Sequence, residues 1–140
     1  MNKFIGIAAL VFVGRLCVAE SDLNPCEMIP KEEMAKIIGE IKEGPKAKEG
    51  LMKEKACEWT NMSGSWLSVG ISSAENWDIK KGSANNPTDL KGFGEEAFTD
   101  KRGTDAELYV RKGKWMLEVR TSSGSANAQK VAQYVLGRIP

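Results

Sequence analysis

The sequence predicts an α+β domain built on a single antiparallel sheet of about five strands. Apolar residues recur at helical spacing near both ends of the chain and at alternate positions between them. The strand segments are joined by short turns and each has a polar side, which is typical of antiparallel strands. The predicted order is α-β-β-(α)-β-β-β-α, with the N- and C-terminal helices packed on one face of the sheet.

The first nineteen residues have the composition of an export signal. Lys3 supplies the positive start, residues 4–13 form an apolar run, and Ala19 provides a small residue at the cleavage point. A run of about ten residues is too short to cross a hydrocarbon core of roughly 30 Å as a helix. The sequence therefore predicts that residues 1–19 are removed as a signal peptide. Residues 20–140 then form a single α+β domain, periplasmic or secreted, with no transmembrane span.

Cys17 raises the question of a lipid anchor. Bacterial lipoproteins are cut just before a cysteine that follows a small residue, usually with leucine three positions ahead of it. Here Leu16 directly precedes Cys17, and Arg15 places a charge inside the recognition box. The sequence favours loss of Cys17 with the leader over attachment of a lipid there.

The cysteines that remain, Cys26 and Cys57, predict a disulfide bond. An even number of cysteines in an exported chain indicates bridging, and two thiols permit one pairing. The bond would close a loop of about 32 residues and remove on the order of 3–4 kcal/mol of unfolded-state freedom. Zinc ligation is the competing interpretation, but the chain has no histidine and a closed zinc site needs four ligands.

The first predicted helix begins at Pro30, a residue favoured at the first helical position. Its apolar stripe has helical spacing and consists of Met34, Ile37, Ile38 and Ile41. Gly44 and Pro45 are expected to end it. Residues 45–55 are rich in lysine, glycine and glutamate and predict a solvated loop.

The pattern changes from helical to alternating at Ala56. Cys57 and Trp59 share one side of a first strand, and a second strand covers residues 65–71. Residues 72–75 resemble a capping box that opens a short helix through Lys81. Three further strands are expected at residues 96–99, 107–112 and 115–121, before a last helix that runs to about Arg138.

The order of these segments resembles a known family. Asn24-Pro25-Cys26 stands before the first helix, Cys57-Glu58-Trp59 opens the sheet, and Leu90-Lys91-Gly92-Phe93-Gly94-Glu95-Glu96-Ala97-Phe98 and Leu108-Tyr109-Val110-Arg111-Lys112-Gly113 follow. The layout, over residues 24–138, resembles small bacterial cell-envelope proteins of unknown function, best represented among actinobacterial lipoproteins. The resemblance implies an envelope location and an α+β fold, and it supplies no active site. The sequence departs from the family at the lipid-attachment box.

The residue types present do not predict an enzyme. Because histidine is absent, no Ser-His-Asp or Cys-His arrangement can form. The Gly92-Phe93-Gly94 segment precedes a predicted strand, whereas a phosphate-binding loop opens a helix. The methionines are scattered, which favours packing over copper binding. We therefore predict no catalytic residue, no cofactor and no metal. An enzyme that uses Glu, Asp, Ser or Lys is the weaker alternative.

Four tryptophans leave room for a binding function. Trp59 and Trp115 are in phase with apolar neighbours and predict core packing. Trp66 is out of phase with its strand and Trp77 lies near a loop, so these two are the candidate ligand contacts. The main hypothesis is a non-enzymatic envelope domain that binds a protein partner, and the alternative is glycan or peptidoglycan binding through Trp66 and Trp77.

The net charge of the chain argues against nucleic acid as a partner. The full chain carries a net charge of +1, and loss of residues 1–19 removes Lys3 and Arg15 but no acidic residue. The mature chain then has 18 basic and 19 acidic side chains, a net charge near −1. A domain this close to neutral lacks the basic surface of a nucleic-acid-binding protein.

Overall fold

The computed structural model describes residues 23–140, so the predicted leader and Cys17 lie outside the described residues. Within that range the helices are α1 (Pro25–Met28), α2 (Lys31–Ile38), α3 (Trp77–Gly82) and α4 (Ser125–Leu136). The strands are β1 (Ile41–Glu49), β2 (Lys55–Asn61), β3 (Trp66–Ser73), β4 (Thr88–Asp89), β5 (Glu96–Arg102), β6 (Asp105–Lys112) and β7 (Trp115–Thr121). Short 3₁₀ turns cover Leu51–Lys53 and Ala74–Asn76.

All seven strands belong to one sheet in the order β1-β2-β3-β7-β6-β5-β4, and every neighbouring pair is antiparallel. The predicted α+β class and single antiparallel sheet are therefore confirmed. The predicted number of about five strands is wrong, because the sheet has two further strands, β1 and β4, at its two edges. The sequence predicted no strand in either segment.

Strand β1 occupies a segment for which the sequence predicted the end of a helix and a solvated loop. Helix α2 instead ends at Ile38, and Gly39 follows with φ +91°. Of the nine residues of β1, Ile41 alone is buried, so no apolar alternation marks the strand. Pairing with β2 nevertheless orders it, with Lys46 opposite Glu58. Exposed charges suit an edge strand because they oppose pairing with a second chain.

One face of the sheet, here called the first face, carries the main core. Its buried strand residues include Cys57, Trp59, Leu67, Val69, Ile71, Leu108, Val110, Leu117 and Val119. Side chains of α2 and α4 belong to the same cluster, namely Met34, Ile38, Ala128, Val131, Ala132 and Val135. Cys26 on α1 is bonded to Cys57 on β2, with their Cα atoms 5.1 Å apart. The predicted disulfide is confirmed.

The opposite, second face is only partly covered. Helix α3 places Trp77 against Phe98, with ring centroids 5.3 Å apart, and Phe98 stacks on Tyr109 at 4.7 Å. These rings and Met116 form a small separate core on the β5–β6–β7 side of this face. No helix within residues 23–140 covers the side over β2 and β3, which holds the groove described below. None of the helices within residues 23–140 is long and apolar enough to cross a membrane.

Candidate functional site

A groove of about 730 Å³ lies on the uncovered side of the second face. Its walls come from β1, β2, β3 and β7, with Lys80 reaching in from α3. The lining side chains include four carboxylic acids, three cations, two hydroxyls and one tryptophan. They are Glu49, Glu54, Glu58, Glu118, Lys48, Lys80, Arg120, Thr60, Ser68 and Trp66.

The two-residue period of the strands collects these side chains into rows across the sheet. In one row Glu58 of β2 faces Ser68 of β3, which faces Arg120 of β7. Arg120 in turn faces Glu107 of β6. Side chains opposite one another on one face are close enough to interact, so this row places Arg120 between the carboxylate of Glu107 and the hydroxyl of Ser68.

The next row contains the small residues that form the floor of the groove. Ala56 of β2 faces Gly70 of β3, Gly70 faces Glu118, and Glu118 faces Tyr109. Because Ala56 and Gly70 have short side chains or none, space remains above this part of the sheet. The Glu54 side chain occupies part of that space, since a Cβ atom added at Gly70 would overlap its carboxyl group.

Glu107 is a carboxylate buried beneath one end of this network, with 2% of its surface exposed. Arg120 Nε lies 3.1 Å from its Oε1, and Arg102 Nε lies 3.5 Å from its Oε2. The Tyr109 hydroxyl also donates a hydrogen bond to Oε2 at 2.7 Å. Opposite charge and a hydrogen-bond donor together compensate the loss of water around this carboxylate.

Glu118 lines the groove although only 8% of its side chain is exposed. Lys80 Nζ lies 3.0 Å from its Oε2, and Arg120 Nε lies 3.8 Å from its Oε1. The Tyr109 hydroxyl is also 3.3 Å from Oε1. Burial, followed by the negative charge of Glu118, raises the pKa of Tyr109, so the phenol keeps its proton at neutral pH and acts as a donor.

Glu54 differs from these two carboxylates. It lies in the turn between β1 and β2, and burial raises its pKa from 4.5 to about 7. The negative charge of Glu118 and a hydrogen bond between the two carboxyl groups act in the same direction, whereas Lys80 and Arg120 oppose the rise. The ion pairs formed within residues 23–140 do not include Glu54. This carboxyl group therefore changes charge near neutral pH inside an open groove.

The structure separates the two tryptophans that the sequence selected as ligand contacts. Trp66 is partly exposed, lines the groove and faces Thr60 across the β2–β3 pair. Trp77 is only 2% exposed, because its ring fills the space between α3 and Phe98. The expectation that Trp77 is exposed is therefore corrected, while a ligand contact at Trp66 stays a prediction. In the part of the chain that the structure describes, no group of three or more acidic, cysteine or histidine side chains is placed to hold a metal ion.

Sequence reasoning missed the carboxylates of the groove. Glu54 fell in the predicted solvated loop, and Glu107 and Glu118 alternate with the apolar residues of their predicted strands and so belong to the polar sides. Gly70 was a usable signal, because an isolated glycine inside a strand often marks the close approach of another group. A second signal was the pair of opposite charges, Glu107 and Arg120, that lie opposite each other across the β6–β7 hairpin.

Comparison with known proteins supports the fold alone. No protein-family model matches the chain, and no curated protein sequence matches it. The fold is similar to that in a crystal structure of a protein from Thermotoga maritima described as a GTP binding regulator. The two superpose with a TM-score of 0.50 and 13% sequence identity, over 80% of this chain and 88% of that one.

Proposed function

We propose that this chain is an exported, non-enzymatic binding domain of the bacterial cell envelope and that the groove receives an extended segment of a partner protein. The observation that carries the proposal is the groove itself, a concave surface on a sheet face that α3 covers only in part. An envelope location is the expectation from the leader and from the family resemblance, and the Cys26–Cys57 bond is consistent with an oxidising compartment.

The size of the groove suits a single extended chain. Its β2 wall includes Ala56, Glu58 and Thr60, so residues 56–60 extend along it for about 13 Å at roughly 3.3 Å per residue. That length corresponds to about four residues of an extended peptide. A volume of about 730 Å³ also falls within the usual range for small-ligand and peptide sites. A folded partner would therefore enter with one segment only.

The lining is suited to binding an occupant. Trp66 offers an apolar ring with a polar edge, a side chain that is common in protein interfaces. Thr60 and Ser68 offer hydroxyl groups that both donate and accept hydrogen bonds. The ion pairs Lys48–Glu58, at 2.7 Å, and Lys80–Glu118, at 3.0 Å, hold the side walls in place before binding.

Site-specific photo-crosslinking in cells tests this function. A photoreactive amino acid replaces Ser68 on the groove floor or, as the matched control, Lys130 on the exposed side of α4. We expect one reproducible product from position 68, none from position 130, and loss of the product when Trp66→Ala is added. The captured protein is then purified and its binding is measured directly by calorimetry. Equal products from both positions, or none from either, would refute the proposal.

Glycan binding is the second candidate, and the exposure of the Trp66 ring favours it. Aromatic rings stack on the apolar faces of sugars, and the hydroxyls of Thr60 and Ser68 can bond to sugar hydroxyls. Titration with soluble peptidoglycan fragments distinguishes the two, with the Trp66 indole followed by NMR and Trp66→Phe as the control. A saturable shift of that signal would select the glycan, and an unchanged signal would leave the protein partner.

A further inference from the structure

We infer that the groove recognises a cationic side chain, an arginine in particular, and that its guanidinium group binds between Glu54 and Glu118. This inference rests on the proposed function and specifies which chemistry the bound segment must carry. Three features of the groove support it, namely its unequal pairing of charges, the partly exposed ring of Trp66 in the same groove, and the space above Gly70 that the Glu54 carboxyl group occupies.

The pairing of charges in the groove leaves two of its four carboxyl groups over, that of Glu49, which is exposed on the edge strand, and that of Glu54, which lies inside the groove. Lys48 is engaged by Glu58 and Lys80 by Glu118. The third cation of the lining, Arg120, lies against the buried Glu107. An anionic ligand would have to break one of these pairs, whereas a cation can bind without displacing any of them. The groove is therefore complementary to positive charge.

Glu54 is the group that such a cation would find. Within residues 23–140 it takes part in no ion pair, and its carboxyl group is held above Gly70 beside Glu118. A guanidinium group has a planar set of donors that suits two carboxyl groups lying side by side. Lysine would supply the same charge with less directional hydrogen bonding.

Trp66 supplies a second and independent contact for the same ligand. Its ring is partly exposed in the groove, and indole faces attract guanidinium and ammonium groups. An aromatic face and an unpaired carboxyl group in one groove form a combination that favours cationic side chains over neutral or acidic ones. A segment with two arginines, spaced along one side of an extended strand, could use both contacts.

Protonation of Glu54 couples this binding to pH. The charged groups that act on it are Glu118 and Arg120 on β7 and Lys80 on α3, while β3 contributes Gly70, which has no side chain, beneath its carboxyl group. With a pKa of about 7, roughly half of the Glu54 carboxyl groups carry a proton at pH 7. A guanidinium group binds the deprotonated form, so binding releases a proton and weakens as the pH falls below 7.

The test compares two peptides that differ only in charge. One is acetyl-Ala-Arg-Ala-Arg-Ala-amide, and the other has citrulline, a neutral side chain of nearly the same shape, at both arginine positions. Binding to the mature protein is followed by NMR of the Trp66 indole at pH 8 and pH 6. We expect the arginine peptide to bind at least about 10-fold more tightly than the citrulline peptide at pH 8, the ratio that about 1.4 kcal/mol supplies. We expect its affinity to fall by about 10-fold at pH 6.

Glu54→Gln and Glu32→Gln are the matched variants. Glu54 lines the groove, whereas Glu32 is exposed on α2, outside the groove. Glu54→Gln should reduce binding of the arginine peptide to the citrulline level and abolish the pH dependence, and Glu32→Gln should change little. Equal binding of the two peptides, or failure of both to bind, would overturn the inference. The crosslinking result from Ser68 would still decide the proposed function, so the two failures are distinguishable.

Discussion

The carboxyl group of Glu54 occupies the volume that a side chain at Gly70 would need. A Cβ atom added at Gly70 would overlap the Glu54 carboxyl group and crowd its Cγ, at 3.0 Å. The glycine thus lets an acid from the β1–β2 turn lie against the sheet beside Glu118. Both the desolvation of Glu54 and its interaction with Glu118 depend on this close approach, because both require the carboxyl group to stay inside the groove.

Gly70→Ala should therefore restore an ordinary pKa to Glu54. The new methyl group would push the flexible carboxyl end of Glu54 toward water, where neither burial nor Glu118 opposes ionisation. We expect the pKa to fall from about 7 toward 4.5, measured by NMR titration of ¹³C-labelled glutamate carboxyl groups. Gly82→Ala is the control, since nothing lies within 4 Å of a Cβ atom there. An unshifted titration in Gly70→Ala would contradict the assigned cause.

Glu54→Gln should stabilise the protein at high pH and not at low pH. The pKa of Glu54 is higher in the folded state, about 7, than its ordinary value of 4.5, so its stabilising contribution is present below pH 4.5 and lost as the pH rises through 7. After allowance for solvent screening, we expect Glu54→Gln to raise the free energy of unfolding by about 1–2 kcal/mol at pH 8. Urea denaturation at pH 4 and pH 8 checks this, with Glu49→Gln as the exposed control. An equal effect at both pH values would reject the explanation.

Tyr109→Phe should destabilise the fold through the carboxylates behind the groove. The phenol donates to Glu107 at 2.7 Å and lies 3.3 Å from Glu118, so its removal leaves two buried carboxylates with one donor fewer. We expect a loss of about 1–3 kcal/mol in the free energy of unfolding, although the ring can still stack on Phe98. Tyr134→Phe, which keeps its ring contact with Arg138, is the control and should change the stability little. Equal stabilities of the two variants would contradict the proposed role of the hydroxyl.

Sequence reasoning succeeded where side chains alternate between a buried and a polar side. The hairpin of β6 and β7 is the clearest case, since Leu108, Val110, Leu117 and Val119 mark both strands and all are buried. The disulfide followed from the two cysteines that remain once Cys17 is assigned to the leader of an exported chain. Helix α4 was also anticipated, because Ala128, Val131, Ala132 and Val135 recur at helical spacing and are buried.

The same reasoning failed where a segment is ordered by its neighbours and not by its own pattern. Strand β1 has charged residues on both sides and forms because β2 offers hydrogen-bonding partners. The groove was missed for a related reason. The polar side of a strand has the same sequence pattern in two different environments. It can face bulk water, or it can face a charged network such as that of Glu107, Tyr109 and Glu118. Only the pairing register, which is a tertiary property, distinguishes these cases.

The two candidate tryptophans should respond in opposite ways to substitution. Trp77→Ala removes a buried ring that contacts Phe98 and should cost about 3–5 kcal/mol of stability. Trp66→Ala removes a partly exposed ring and should cost only about 1 kcal/mol. Thermal unfolding gives the stabilities, and acrylamide quenching of Trp66→Phe and Trp77→Phe gives the accessibilities. Trp66→Phe should reduce acrylamide quenching of the fluorescence more than Trp77→Phe does. The reverse order would contradict the placement of Trp66 in the groove and of Trp77 in the core.

We expect the natural protein to be both exported and disulfide-bonded, because the bond needs an oxidising compartment and a leader would direct the chain to one. Mass spectrometry of the protein from its natural source should give a chain that begins at Glu20 and is lighter by the two hydrogen atoms lost on joining Cys26 to Cys57.

Replacing both cysteines by alanine should lower the free energy of unfolding by about 3–4 kcal/mol, since the bond closes a loop with a sequence separation of 31. The midpoint of thermal unfolding should fall by about 10–15 °C. Cys17→Ala should change neither quantity if Cys17 is removed with the leader, as the sequence predicts. A retained leader, or two free thiols in the natural protein, would remove the basis for an envelope function.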